Sequence, residues 1–103
     1  MPLQLSNYNF DGPFYKISDI KDQPGIYAIL TNIPRGVALL DIGESENVKT
    51  RIQNHDRKDE WNKHAQGTIS AAVYYTNHLP PVSRKAIEHI LRMSFKNLPC
   101  GER

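Results

Sequence analysis

Cysteine is nearly absent: Cys100 is the only one in 103 residues. A single thiol excludes an internal disulfide and suits a reducing compartment. It reads as a bystander thiol near the chain end rather than a nucleophile. No apolar run is long enough to span a bilayer. The opening stretch "MPLQLSNYNF" has neither the basic region nor the apolar core of a signal peptide, so the expectation is a cytoplasmic protein without membrane contact. There is no internal repeat, low-complexity tail, zinc-ligand spacing, helix-turn-helix pattern or phosphate-cradling glycine loop. Charge of one sign is also scarce, with a net charge of only +2. That value by itself argues for no polyanionic partner. Residues 1–44 hold three Lys/Arg against five Asp/Glu, and residues 45–103 hold ten against six. The positive excess therefore lies in the later part of the chain, where it serves either a solvated surface or a polyanion-facing one.

The length fits one compact domain, 1–103. Residues 1–21 read as an N-terminal extension. Its "DGP" and the following "DQP" are turn signals, and "FYKISDI" between them forms a short edge strand or an apolar clasp. "GIYAILTN" and "VALLDIG" are apolar and β-branched, and read as two strands of a hairpin with an irregular "IPRG" loop. Ser45 is placed to cap a helix running to about His55 or Arg57, with Val48 and Ile52 facing inward. "KDEWNKHAQ" gives a second short helix anchored by Trp61. "TISAAVYYT" is a third strand, and "NHLPP" is a turn. "VSRKAIEHILRMSFK" is the strongest helix, with Ile87, Ile90, Leu91 and Phe95 at helical spacing. The order β-β-α-α-β-α predicts an α+β sandwich: a small three-stranded antiparallel sheet, with the helices packed on one face.

Several residues invite chemistry. Arg51 and His55 are four apart, so a continuous helix would place them on one face. A helix start with an arginine beside it supplies donors to a phosphate, although a solvated Arg and His explain the same pair. Glu88 borders the apolar stripe of the last helix. A carboxylate there needs a partner. Arg84 and Arg92, each four residues away, would serve. So would a divalent cation, since Mg²⁺ takes one or two carboxylates and completes its shell with water and phosphate oxygens.

"GIY" at 25–27, a tripeptide ending in "IG" at 41–43, a helix bearing Arg51 and His55, and a later helix bearing Glu88 follow one another in an order that resembles the GIY-YIG nuclease family. The resemblance spans residues 22–98, and Arg51 follows Gly43 by eight residues. It implies a GIY-YIG-like fold and a hydrolase of phosphodiesters in DNA that uses a single Mg²⁺ or Mn²⁺ ion. Carried onto this chain, Tyr27 helps to activate water or holds it in line. Arg51 neutralises the transition state, and His55 assists proton transfer or orients the nucleophile. Glu88 holds the metal. Gly43, Asp41 and Asn97 fall at substrate-contacting positions.

Asp41 stands where the family has its second tyrosine. A phenol donates to a phosphate oxygen, whereas an ionised carboxylate only accepts and repels phosphate. Glu44 adds a second acid just past Gly43. The two acids act against substrate unless a cation bridges them, and Asp41 would then be an additional metal ligand. The alternative function is a module of the same fold with degraded chemistry, binding nucleic acid or a protein. Specificity would come from a homodimer or another protein partner, since the chain leaves no room for a second domain.

Overall fold

The computed structural model describes residues 3–100. Five strands form one antiparallel sheet in the order β1-β2-β5-β3-β4: β1 (Leu3–Leu5), β2 (Tyr8–Phe14), β3 (Gly25–Ile33), β4 (Gly36–Ser45) and β5 (Ile69–Tyr75). The helices are α1 (Val48–Gln53), α2 (Lys58–His64) and α3 (Pro81–Ser94). The class is α+β, and from β3 onward the six elements follow the order read from the sequence. The sheet has five strands rather than three because the N-terminal segment joins it. Tyr8 and Phe10 of "YNFDGPF" alternate inward, and β2 pairs with β5, Asp11 opposite Val73 and Phe14 opposite Ala71. The "DGP" turn signal lies inside this strand, where the register shifts between Asp11 and Phe14.

The period-2 alternation of β3 divides the core. Ile26, Ala28 and Leu30 face α3, packing with Phe10, Ile42, Ile87 and Leu91. Tyr27 and Ile29 face α1 and α2, packing with Val48, Ile52, Trp61 and Val73. Helices therefore cover both faces of the sheet, not one. Each large apolar side chain fully buried here contributes about 1.5–3 kcal/mol. On α3, Ile87 and Leu91 are buried, whereas Ile90 is 47% exposed and belongs to the outer surface. Cys100 is buried in the second cluster, and its amide donates to the Leu40 carbonyl. No described helix is long and apolar enough to cross a membrane.

The β3–β4 hairpin positions the site. Its loop is the two residues Pro34 and Arg35, tighter than the irregular loop read from "IPRG". Gly36, at φ +136, closes it in a conformation that L side chains rarely adopt. Further along, the register places Ile29 opposite Asp41 and Leu30 opposite Leu39, leaving Leu40 as the extra residue of a β-bulge. The bulge aims both Leu40 and Asp41 at the α1–α2 face.

Candidate functional site

Tyr27 is the centre of the site, and Gly43 makes room for it. The two are directly opposite in the β3–β4 ladder. A Cβ on Gly43 would overlap the Tyr27 hydroxyl. The phenol therefore lies across the Gly43 backbone and ends against His55, with Oη 2.6 Å from Nε2.

The tautomer of His55 follows from its other nitrogen. The Arg57 amide donates to Nδ1 at 3.0 Å, so Nδ1 carries a lone pair and the single proton of the neutral ring sits on Nε2. Nε2–H donates to Tyr27. Burial, then the charges of Arg51 and Arg57, push the His55 pKa down to about 4. Asp56 lies 3.4 Å from Nδ1, but the occupied lone pair and the two guanidiniums keep the ring neutral. Burial pushes the Tyr27 phenol up to about 12, opposed by Arg51. Near neutral pH, Tyr27 is a protonated phenol and His55 has no free lone pair, so neither acts as a base in this arrangement. His55 orients Tyr27.

The helix carrying Arg51 is shorter than its sequence reading. Ser45 does not cap it: its hydroxyl accepts from the Asn47 amide, in a turn before the helix. The capping carboxylate is Asp22, which accepts from the Thr50 amide at 3.0 Å and hydroxyl at 2.6 Å. The helix stops at Gln53, so His55 lies in the loop after it, not one turn further along the Arg51 face. Arg51 binds Asp56 at 3.0 Å, and its side chain remains 39% exposed. It is close enough to Tyr27 to hold down the phenol's pKa.

Asp41 does not confront a phosphate as a bare charge. It is 0% exposed. It accepts from Arg57 Nε at 2.8 Å, Trp61 Nε1 at 2.8 Å, Arg92 Nη1 at 3.3 Å and the Ile42 amide at 2.9 Å. Burial opposes its ionisation, but the bonds from Arg57 and Trp61, the Arg57 charge and the Arg92 bond outweigh it and hold the pKa below the ordinary value. With its lone pairs so occupied, Asp41 is not open to a metal either. Glu44 is likewise engaged, by Arg84 Nε at 2.6 Å. Both acids expected to repel substrate are neutralised inside the protein.

Those pairings remove the partners expected for Glu88. Arg84 serves Glu44, and Arg92 donates to Asp41 and to the Ile42 carbonyl. Among the described residues, no hydrogen bond or ion pair holds the half-buried Glu88 carboxylate. Burial raises its pKa, Arg92 lowers it and Glu44 raises it further. It lines a groove of about 480 Å³ with His89, Arg92, Phe95 and Lys96. The field of Arg57 reaches Glu88 as well as Tyr27 and His55. Tyr27 and His55 touch, the charge of Arg51 acts on both, and Glu88 stands apart on α3. Asn97 is exposed beyond α3, in a shallow groove with Leu39 and Leu98, and bonds to none of the others.

Arg57, Trp61, Arg84 and Arg92 were not read as site residues. The available signal was spacing: Arg57 and Trp61 are four apart, and Arg84 and Arg92 eight apart on α3, so each pair presents one face to the acids of β4. Among the described residues, no three His, Cys, Asp or Glu form a metal site on their own. Comparison of the chain with protein-family models, with curated proteins and with solved structures finds no match.

Proposed function

We propose that this chain is a GIY-YIG-type, divalent-metal-dependent phosphodiesterase acting on DNA. The observation that carries the reading is the Tyr27–His55 bond over Gly43, with Arg51 beside it. Tyr27, Gly43 and His55, far apart in sequence, meet at one buried hydroxyl, and the charge of Arg51 acts on it. Arg51 supplies positive charge where a phosphoryl transition state develops negative charge. Tyr27 and His55 hold Arg51 and the phosphate in register.

Glu88 fits a cation. A half-buried carboxylate without a donor is costly, and a divalent ion needs only one or two such ligands if water and phosphate complete its shell. Bound there, Mg²⁺ or Mn²⁺ would polarise the scissile phosphate and acidify a water. The test is DNA cleavage with either ion. Cleavage should vanish in chelator and in Arg51→Ala and Glu88→Ala. Failure to cut a range of DNA structures, or full activity in both variants, would sink the enzyme reading.

Two observations favour the second reading, a fold that binds nucleic acid or protein without cutting. The only lone pair of His55 is already occupied, and an ion-paired aspartate stands at the second tyrosine's place. DNA binding without cleavage would select it.

A further inference from the structure

We infer that Arg57 is a second anion-binding arginine, which with Arg51 forms a two-guanidinium clamp for one phosphodiester group. The inference rests on the nucleic-acid reading above for the identity of the anion. The clamp itself is read from the geometry.

Asp41 grips only part of Arg57. It takes Nε at 2.8 Å and Nη2 at 3.4 Å. A guanidinium has five N–H donors in a fixed fork, so Nη1 and the second Nη2 hydrogen remain without an acceptor among the described residues. The Arg57 side chain is 24% exposed, so these donors are within reach of a solvent-borne ligand. Its backbone is fixed at both ends of the peptide: the amide donates to His55 Nδ1, and the carbonyl accepts from the Trp61 amide at 2.9 Å. Arg57 is therefore held on two sides, and it loses little freedom on gripping an anion. Arg51, whose side chain bonds among the described residues to the exposed Asp56, is the other half. Arg51 grips Asp56, which lies 3.4 Å from His55 Nδ1, and the Arg57 amide donates to that same nitrogen, so both arginines are anchored around one imidazole, and both charges bear on it.

This assigns Asp41 a purpose. It holds Arg57 by Nε and one Nη2 hydrogen and leaves the rest of the fork to other acceptors. The aspartate acts as the seat of an arginine that presents planar donors to an oxyanion.

The test is binding of a short duplex oligonucleotide in chelator, so that neither metal nor cleavage contributes. Arg57→Lys keeps a cation for Asp41 but loses the fork. The melting temperature should change little, affinity should fall about tenfold with the loss of the planar donors, and the slope of log affinity against log salt should stay near that of wild type, because the charge is kept. Arg51→Lys should weaken binding similarly. If Arg57→Lys binds like wild type while Arg51→Lys is weakened, Arg57 is only a counter-ion, and the proposed function survives without the clamp. If wild type binds no oligonucleotide in chelator, the clamp falls, while the proposed function is decided by the cleavage assay with Mg²⁺ or Mn²⁺. A measurement on the unaltered protein covers a variant that fails to fold. Guanidinium NMR signals of Arg57 Nη should move on adding oligonucleotide, and signals that stay in place while those of Arg51 move would overturn the clamp.

Discussion

Gly43 shows how one residue without a side chain can decide a site. Its Cβ position is occupied by the Tyr27 hydroxyl. Gly43→Ala must therefore displace the phenol from His55 or push β4 from β3, and overpacking of this kind costs on the order of 1–3 kcal/mol. The expected result in chemical denaturation is that loss, together with weaker DNA binding, because Arg51 loses the ring that backs it. Asp41 makes the opposite point. Its sequence position next to "IG" suggested a substrate-facing acid. Replacing it with tyrosine to regain a donor would place a larger side chain in a fully buried position and strip Arg57 and Arg92 of their partner. Asp41→Asn keeps the shape and removes the charge. It is expected to cost about 3–5 kcal/mol, because breaking a buried pair leaves the Arg57 charge uncompensated. An Asp41→Asn protein as stable as wild type would show that the arginines do not depend on it. Tyr27, Arg51 and His55 were legible in the sequence because their identities and order carry the signal. The fates of Asp41, Glu44 and Glu88 were not, because each depends on which arginine reaches it across the sheet edge.

Among the elements, the periodic ones were readable: β3, β5 and α3 declare themselves by period and composition. The N-terminal hairpin did not. Its Asn, Asp, Gly and Pro residues read as turns, and β2 exists only because β5 offers it an edge. Phe10 is 0% exposed within the core beneath α3. Phe10→Ala should therefore destabilise the whole domain by about 3–5 kcal/mol, as a single cooperative transition. If instead the variant melts only the first residues and leaves the rest at the wild-type midpoint, the segment is an appendage after all. The early end of α1 had a similar cause. No run of helix formers follows Gln53, and the "NHD" that ends it turns His55 back toward Tyr27, a tertiary preference that local spacing does not reveal.

At the scale of the molecule, the buried imidazole links folding to pH. The folded pKa of His55 is about 4, against an ordinary 6.5. Between those values the unfolded chain binds a proton that the folded chain excludes, so stability falls as pH drops from 6.5 to 4 and this contribution flattens below. At about 1.4 kcal/mol per unit, the loss is on the order of 3 kcal/mol. Asp41, with its pKa held below 3.8, adds a further loss in more acid solution. Denaturation midpoints across this range should show the slope in wild type and its loss in His55→Gln. An unchanged slope in the variant would place the linkage elsewhere.

The central claim is that Arg51 and Glu88, on opposite sides of the β4 edge, serve one phosphate through one metal ion. A double-mutant cycle on Ca²⁺-dependent DNA affinity tests it most directly, since Ca²⁺ can occupy an oxygen-ligand site and allows binding to be measured apart from turnover. Affinity would be measured with and without Ca²⁺ for wild type, Arg51→Ala, Glu88→Gln and the double variant. Ca²⁺ should tighten binding in wild type. Each single change should remove most of that gain, and the double change should remove little more than either alone. Two losses that simply add, or a Ca²⁺ gain that survives Glu88→Gln, would mean that Arg51 and Glu88 belong to separate surfaces and that the site has been assembled wrongly.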